Sequence, residues 1–202
     1  MSGPARALGP FPEGGELRGE RLEGRDFSSG SLAGLSFAGC SFEACDFSDC
    51  DLSDASFEAC SFRGCNLSNP SIKGARFEDC GFEGCKLAGL NFYHCGQLAF
   101  DFSFDACRLV GCNFSGLKLK RSRFPACELV DCDFQDCFLV EADFARSRFE
   151  RTLFHGADLR KADFRGARGY SIDPRTNKVA KAVFSVPDVL GLLAGFDIVV
   201  DD

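Results

Sequence analysis

Residues 36–62 read SFAGCSFEACDFSDCDLSDASFEACSF. Every fifth residue of this stretch, from Phe37 through Phe42, Phe47, Leu52 and Phe57 to Phe62, is large and apolar. The residue two places before each later centre is small: Cys40, Cys45, Cys50, Ala55 and Cys60. The remaining positions carry Ser, Asp, Glu, Ala and Gly. Neither a helix, with its 3.6-residue period, nor a strand, with its period of two, produces this spacing. A strict five requires each unit to repeat one short extended piece and one turn. Each unit then offers one large and one small inward side chain, and three outward ones. A single unit cannot bury that inward pair, so the chain must wind as a solenoid.

Outward from this stretch the pattern covers most of the 202 residues. Sixteen consecutive centres run from Leu17 to Phe92. The phase is lost at Gln97 and resumes two residues late, at Phe104, for 13 more centres ending at Phe164. All 29 are Phe, Leu or Ile. All 13 Cys lie in the phase two before the centres. The core uses one aromatic shape, with 23 Phe, two Tyr and no Trp.

The cysteines allow a metal or redox ladder, or a column of small side chains filling the tube, as free Cys often does. The second reading is favoured. No C-x-x-C occurs and the only histidines are His94 and His155, in outward phases, so zinc-ligand spacing is absent and no metal or other cofactor is expected. Stacked parallel units also hold Cβ atoms farther apart than a relaxed disulfide prefers. Many unbridged Cys, and no apolar core in the first twenty residues, lead to the expectation of a reducing, cytoplasmic setting. No 18-residue apolar run suggests a membrane span. The net charge of −7 argues against direct binding of nucleic acid. No nucleophile–base pair, phosphate loop or ligand cluster stands among the outward residues, so an enzyme is not expected.

The units Ala142-Asp143-Phe144, Ala157-Asp158-Leu159 and Ala162-Asp163-Phe164 resemble the pentapeptide-repeat family, whose unit is written A(D/N)LXX. Earlier units put Cys in place of Ala, as in Cys45-Asp46-Phe47 and Cys50-Asp51-Leu52. The resemblance implies an all-β fold, a right-handed quadrilateral parallel β-helix with four units per coil and about seven coils. At roughly 4.8 Å per layer the shaft is on the order of 35 Å long. Coils of twenty residues would stack Cys45, Cys65 and Cys85 in one column, continued by Cys107 and Cys127 if the slip near Gln97 is absorbed. Cys40, Cys60 and Cys80 would form a second.

Three segments are expected. Residues 1–14 form a Pro/Gly-rich arm, residues 15–168 the β-helix with a register break near 95–103, and residues 169–202 a capping or dimerisation tail. In that tail Phe184–Gly195 reads as a short helix with Ser185 as N-cap, Asp188 three residues later and Gly195 as its stop. Phe196–Val200 reads as a final strand. Phe184, Leu190, Leu193, Phe196 and Ile198 are the candidate cap or dimer residues, since an open last coil needs covering.

The tail motif from Tyr170 through Ile172-Asp173-Pro174 and Asn177-Lys178 to Leu192-Leu193 also resembles the ends of quinolone-resistance-type pentapeptide proteins. That resemblance implies a cytoplasmic protein that pairs through its C-terminal end and acts on DNA gyrase or topoisomerase IV. Some such relatives are thought to resemble duplex DNA in shape and charge. The large side loops of several resistance proteins have no counterpart here. Charge is split along the chain: 12 acids and four bases from Asp26 to Asp105, nine acids and 12 bases from Arg108 to Arg168. Asp46, Asp49, Asp51 and Asp54, with Glu78, Asp79 and Glu83, are the candidate partner-binding residues, placed to steer a partner that holds phosphates. Lys118, Lys120, Arg121 and Arg123 crowd one stretch that a uniform mimic would not carry. The competing reading is an interaction scaffold with no topoisomerase role, since fold alone does not give function.

Overall fold

The computed structural model describes residues 15–95, 102–196 and 198. The N-terminal arm and most of the register break lie outside them. Within them each five-residue unit is one side of a square coil. The first face stacks Glu16–Arg18, Ser36–Ala38, Ser56–Glu58 and Arg76–Glu78 in parallel. The second stacks Arg21–Glu23, Ser41–Glu43, Ser61–Arg63, Cys80–Glu83 and Phe102–Asp105. The third runs from Asn66–Ser68 through Lys86–Ala88, Arg108–Val110 and Glu128–Val130 to Arg148–Glu150. The fourth is a ladder of single bridges, such as Ser31 to Asp51 and Asn113 to Asp133.

Twenty residues separate partners below the break, as in Phe37 opposite Phe57, and twenty-two across it, as in Leu87 opposite Leu109. The two-residue slip is therefore absorbed without a change of phase in the stack. About eight turns result, one more than the 29 centres imply. The extra turn arises because Val183–Phe184 pairs with Asp163–Phe164, so residues after the last sequence-read centre complete another coil.

The core is a set of ring columns. Phe42, Phe62, Phe82, Phe104, Phe124, Phe144, Phe164 and Phe184 stack face to face at centroid spacings of 4.7–5.1 Å. That spacing is the strand-layer repeat, so one aromatic shape in one rotamer satisfies every coil. Rings on adjoining faces meet edge to face, as Phe37 meets Phe42 at 5.5 Å.

The outward phase has equally local causes. The third residue of the turn lies in the left-handed region at nearly every corner, including Asp49 (φ 53) and Asp54 (φ 58). Gly, Asn and Asp tolerate that region best. The Asp or Asn before a centre turns its side chain onto the backbone N–H two residues on, as Asp133 Oδ1 does with Gln135 N at 2.8 Å. This is an Asx turn, and it is the physical content of the second position of the A(D/N)LXX unit.

The tail departs from its expectation in detail. Asp188–Phe196 is a 3-10 helix. Ser185 does not cap it through its side chain: its Oγ accepts from Gly166 N at 3.1 Å, one coil back. Ser185 belongs to the turn after Phe184 and is positioned by the stack, so its side chain faces the coil. Gly195 does not stop the helix, which runs on to Phe196. Phe196 is thus helical where a strand was expected, Ile198 is in no strand, and the rest of that segment lies outside the described residues.

Candidate partner-binding surface

Each proposed carboxylate is first a structural residue. Asp46, on the third face, accepts from Ser48 N at 2.8 Å and from the Asn66 side chain at 3.0 Å. Asp51, on the fourth face, accepts from Ser53 N at 3.0 Å and from Ser31 Oγ at 3.4 Å. The Ser53 hydroxyl and amide hold the Asp51 carboxyl below the usual carboxylate range. Asp49 and Asp54 fill left-handed corners, both exposed. The Asp54 carboxylate lies over Gly74 so closely that a Cβ there would sit 2.2 Å from Oδ1. Gly74 leaves room for the charge as well as supplying its own positive φ.

The structure gathers Asp46, Asp49, Asp51 and Asp54 in one coil: Asp49 on the edge between the third and fourth faces, Asp46 and Asp51 to either side of it, and Asp54 at the next edge, between the fourth face and the first. It does not bring the other three to them. Glu78 and Asp79 lie at the corner between the first and second faces, and Glu83 lies on the second. The two acidic groups face opposite ways. Glu83 is also ion-paired with Arg63 at 3.1 Å. Among the described residues, Asp46, Asp49, Asp51 and Asp54 have no cation within salt-bridge distance.

Beyond the break the charges are paired between coils. Arg121 meets Glu141 at 2.8 Å, Arg151 meets Asp131 at 2.6 Å, and Lys161 meets Glu141 at 3.3 Å. Each pair is twenty residues apart. Reading the sequence missed this ladder, although opposite charges at a spacing of twenty were the signal for it. Pairs within a unit add to it: Asp158 with Arg160 and Asp173 with Arg175.

The thirteen cysteines are free and buried. The expected columns exist: Cys65 N donates to Cys85 Sγ, and Cys85 N to Cys107 Sγ, both at 3.4 Å. The thiols do more than fill space. In units such as Phe47, Leu52 and Leu139 the turn closes directly, the N–H three residues on donating to the centre carbonyl, as from Cys50 to Phe47 at 3.1 Å. In other units a thiol from the next coil sits inside that turn. Cys85 Sγ accepts from Cys65 N and donates to the Phe62 carbonyl at 3.3 Å. Cys107 bridges Cys85 N and the Phe82 carbonyl in the same way. Ser147 does so for Cys127 N and the Phe124 carbonyl. Where the direct turn exists at Leu32, Leu52, Phe134, Leu139 and Phe144, the next coil carries Ala55, Ala75, Ala157, Ala162 and Ala167. Burial pushes the Cys50 thiol up to about 11 and those of Cys95 and Cys137 up to about 12, which keeps their protons in place.

At the C-terminal end Phe184 is half-buried on Phe164, and Leu193 is partly buried. Leu190, Phe196 and Ile198 are exposed, joined by Val183 and Val186, which the sequence reading did not single out. The Arg175 guanidinium lies 4.8 Å above the Phe196 ring. His94 and His155 are exposed.

Three family models match consecutive parts of the chain: pentapeptide repeats (8 copies) over residues 21–58, pentapeptide repeats (9 copies) over 52–96, and the pentapeptide repeat region over 99–168. Among solved structures, QnrB1, a plasmid-mediated fluoroquinolone resistance protein, superimposes with a TM-score of 0.54 at 19% identity, covering 92% of this chain and 97% of that one. HetL, a pentapeptide repeat protein involved in heterocyst differentiation regulation from the cyanobacterium Nostoc, gives 0.36 at 16% identity, covering 83% and 86%. A pentapeptide repeat protein from the Arabidopsis thaliana thylakoid lumen gives 0.30 at 22% identity, covering 68% and 72%. No curated protein matches the sequence.

Proposed function

This chain belongs to the pentapeptide-repeat family, and on that premise we propose that it is a non-enzymatic binding protein which engages DNA gyrase or topoisomerase IV in place of duplex DNA. The observation that carries the reading is the set of four aspartates, Asp46, Asp49, Asp51 and Asp54. They share one coil, run along its third and fourth faces to the corner at Asp54, and have no cation partner among the described residues. A protein groove built to hold phosphates presents the complementary field. The QnrB1-like fold and the tail motif support a topoisomerase as that partner, with altered supercoiling and resistance to quinolones or a gyrase-directed toxin as consequences. The exposed Leu190, Phe196 and Ile198 support a C-terminal homodimer. The cytoplasm is the compartment in which this partner and thirteen free thiols coexist.

The test is a supercoiling assay with purified gyrase, with and without ciprofloxacin, using wild type and a variant carrying Asp46→Asn, Asp49→Asn, Asp51→Asn and Asp54→Asn. Asn makes the same Asx turn at Asn113 and the same left-handed corner at Asn69, so the variant removes charge and keeps the fold. Inhibition or rescue by wild type, weakened about tenfold or more in the variant, is the expected result. Unchanged gyrase binding by the variant would refute the mimic. A second reading, an interaction scaffold with no topoisomerase role, is favoured by the opposed orientation of the two acidic groups. A pull-down that returns another partner and no gyrase would establish it.

A further inference from the structure

On the fourth face a single residue closes the ladder to the coil below with both of its backbone groups. Asn113 N donates to the Leu90 carbonyl and the Asn113 carbonyl accepts from Phe92 N, each at 2.9 Å. Asp133 does the same for Cys112 and Phe114, and Leu153 for Cys132 and Phe134. The next residue in this column is Asp173, and it does not. Its carbonyl is drawn into its own turn, where it accepts from Thr176 N at 3.2 Å, Asn177 N at 3.1 Å and the Asn177 side-chain amide at 3.0 Å. Asn177 is buried and fixes this turn, since its Oδ1 also accepts from Ala157 N at 2.9 Å. The Thr152 carbonyl and the Phe154 N–H, which Asp173 would otherwise engage, have no hydrogen-bond partner among the described residues. Both residues are buried, and buried main-chain groups are ordinarily paired. The ladder is closed to either side, by Arg168 on the third face and Lys178 on the first.

The opening is a hollow of about 390 Å³ lined by Thr152, Leu153, Phe154, His155, Ser171 and Asp173 among others. Leu153 is a second departure at the same place. Its outward column holds Asp51, Ser71, Asn91, Asn113 and Asp133 below it, whereas Leu153 is apolar and 51% exposed. The charges nearby are already matched, Arg151 by Asp131 and Asp173 by Arg175. The hollow therefore presents one main-chain acceptor, one main-chain donor and an apolar rim.

We propose that this hollow is a docking slot for an extended peptide segment of a partner protein, one residue of which completes the ladder in place of Asp173. That residue donates its N–H to the Thr152 carbonyl and accepts from Phe154 N through its own carbonyl, as Leu153 does one coil below. Its side chain then points outward directly above Leu153, which selects an apolar residue. Main-chain bonds supply the affinity and this side chain the specificity. The slot lies in a different coil from Asp46, Asp49, Asp51 and Asp54 and needs none of them, so it goes beyond the proposed function.

The experiment follows the backbone amide signals of the full chain by NMR, free and titrated to about 1 mM with capped pentapeptides Thr-Thr-X-Thr-Thr in which X is Leu, Val or Phe. Each peptide is also used with X N-methylated. In the free chain the Phe154 N–H should exchange with solvent about tenfold or more faster than those of Phe114 and Phe134. At least one peptide should shift the Phe154 signal saturably and slow its exchange. N-methylation removes the donor to Thr152 and should weaken binding about fivefold or more. Leu153→Asn places there the residue that Asn113 already supplies in this column, so the fold is kept and binding should weaken about tenfold. Exchange at Phe154 as slow as at Phe134 in the free chain would overturn the proposal, because the ladder would then be closed. The absence of a saturable shift at Phe154 with every peptide would overturn it too. So would equal binding of the N-methylated peptides, or shifts confined to Leu190 and Phe196, which would place the contact at the apolar C-terminal end.

Discussion

The coils before the break and those after it reach one fold with the same two turn chemistries in different proportion and with different corner residues. Before it, eight of the thirteen cysteines line the tube, and thiols are inserted into the turns of Leu22, Phe37, Phe42, Phe57 and Phe62. The corners there hold Gly, Ala, Asp, Asn and, at Ser29, Ser, and acids such as Asp49 and Asp54 have no cation partner among the described residues. After the break thiols still enter the turns of Phe104, Leu109 and Phe114, but Ala increasingly replaces Cys, the direct closure already seen at Phe47 and Leu52 extends to Phe114, Leu119, Phe134, Leu139 and Phe144, and Arg and Lys enter the corners. A long side chain at positive φ costs on the order of 1 kcal/mol. In exchange the later coils gain ion pairs between layers. The comparison teaches that the pentapeptide unit needs its centre carbonyl satisfied, and accepts either its own backbone or a neighbour's thiol as donor.

The comparison breaks first if the halves do not share a core. Phe62→Ala and Phe124→Ala, one in each half of the same ring column, should each cost about 3–5 kcal/mol in chemical denaturation. A much smaller loss in either half would mean that its stack does not carry the fold.

The thiol bridge gives the sharper contrast. Cys85→Ala removes the group between Cys65 N and the Phe62 carbonyl, and should destabilise by about 1–3 kcal/mol. Cys85→Ser should recover most of that, as Ser147 performs the same role. Cys50→Ala should cost less, because the Phe27 carbonyl beneath it already accepts from Gly30 N at 3.0 Å. Equal losses at the two sites would reduce the cysteines to filler. Alkali probes the same feature. Burial raises the pKa values of the Cys50, Cys95 and Cys137 thiols, so their contribution is complete below the unfolded value of about 8.5. It is lost as pH rises toward about 11 to 12, the values to which Cys50, Cys95 and Cys137 are pushed. Hydrogen exchange should show the cysteine-rich coils losing protection first.

The smallest effect belongs to the interlayer charges. Arg151 holds the Asp131 carboxyl below its usual range, and Arg160 does the same for Asp158. A depressed carboxylate contributes stability above its unfolded pKa, about 3.9, and that contribution fades as pH falls through the lower folded value. Mild acid or high salt should therefore loosen the last coils before the first ones, by small amounts because the guanidinium of each pair stands in solvent, although Asp158 itself is buried. The opposite order of protection would show that the pairs do not matter.

Much of this was legible in one dimension. The five-residue period, the placement of all thirteen Cys in one inward phase, and the two-residue slip each follow from which side chain points inward, a property of the unit itself. The period alone does not set the number of sides, because any whole number of identical units closes a coil. Four sides became an expectation only through family resemblance, and the pairing of Phe37 with Phe57 decided it. That coil length then determined everything involving neighbours twenty or more residues away. It put the Cys85 thiol into the turn of Phe62, matched Arg121 to Glu141, and turned Ser185 from an expected helix cap into a partner for Gly166. It also set the two acidic groups on different edges, Asp49 opposite Asp79, which a linear count of charge merges into one. Inward and outward are fixed by local backbone geometry and were readable from the sequence by itself; who stands beside whom depends on the closure of the coil, and only the tertiary structure decided that.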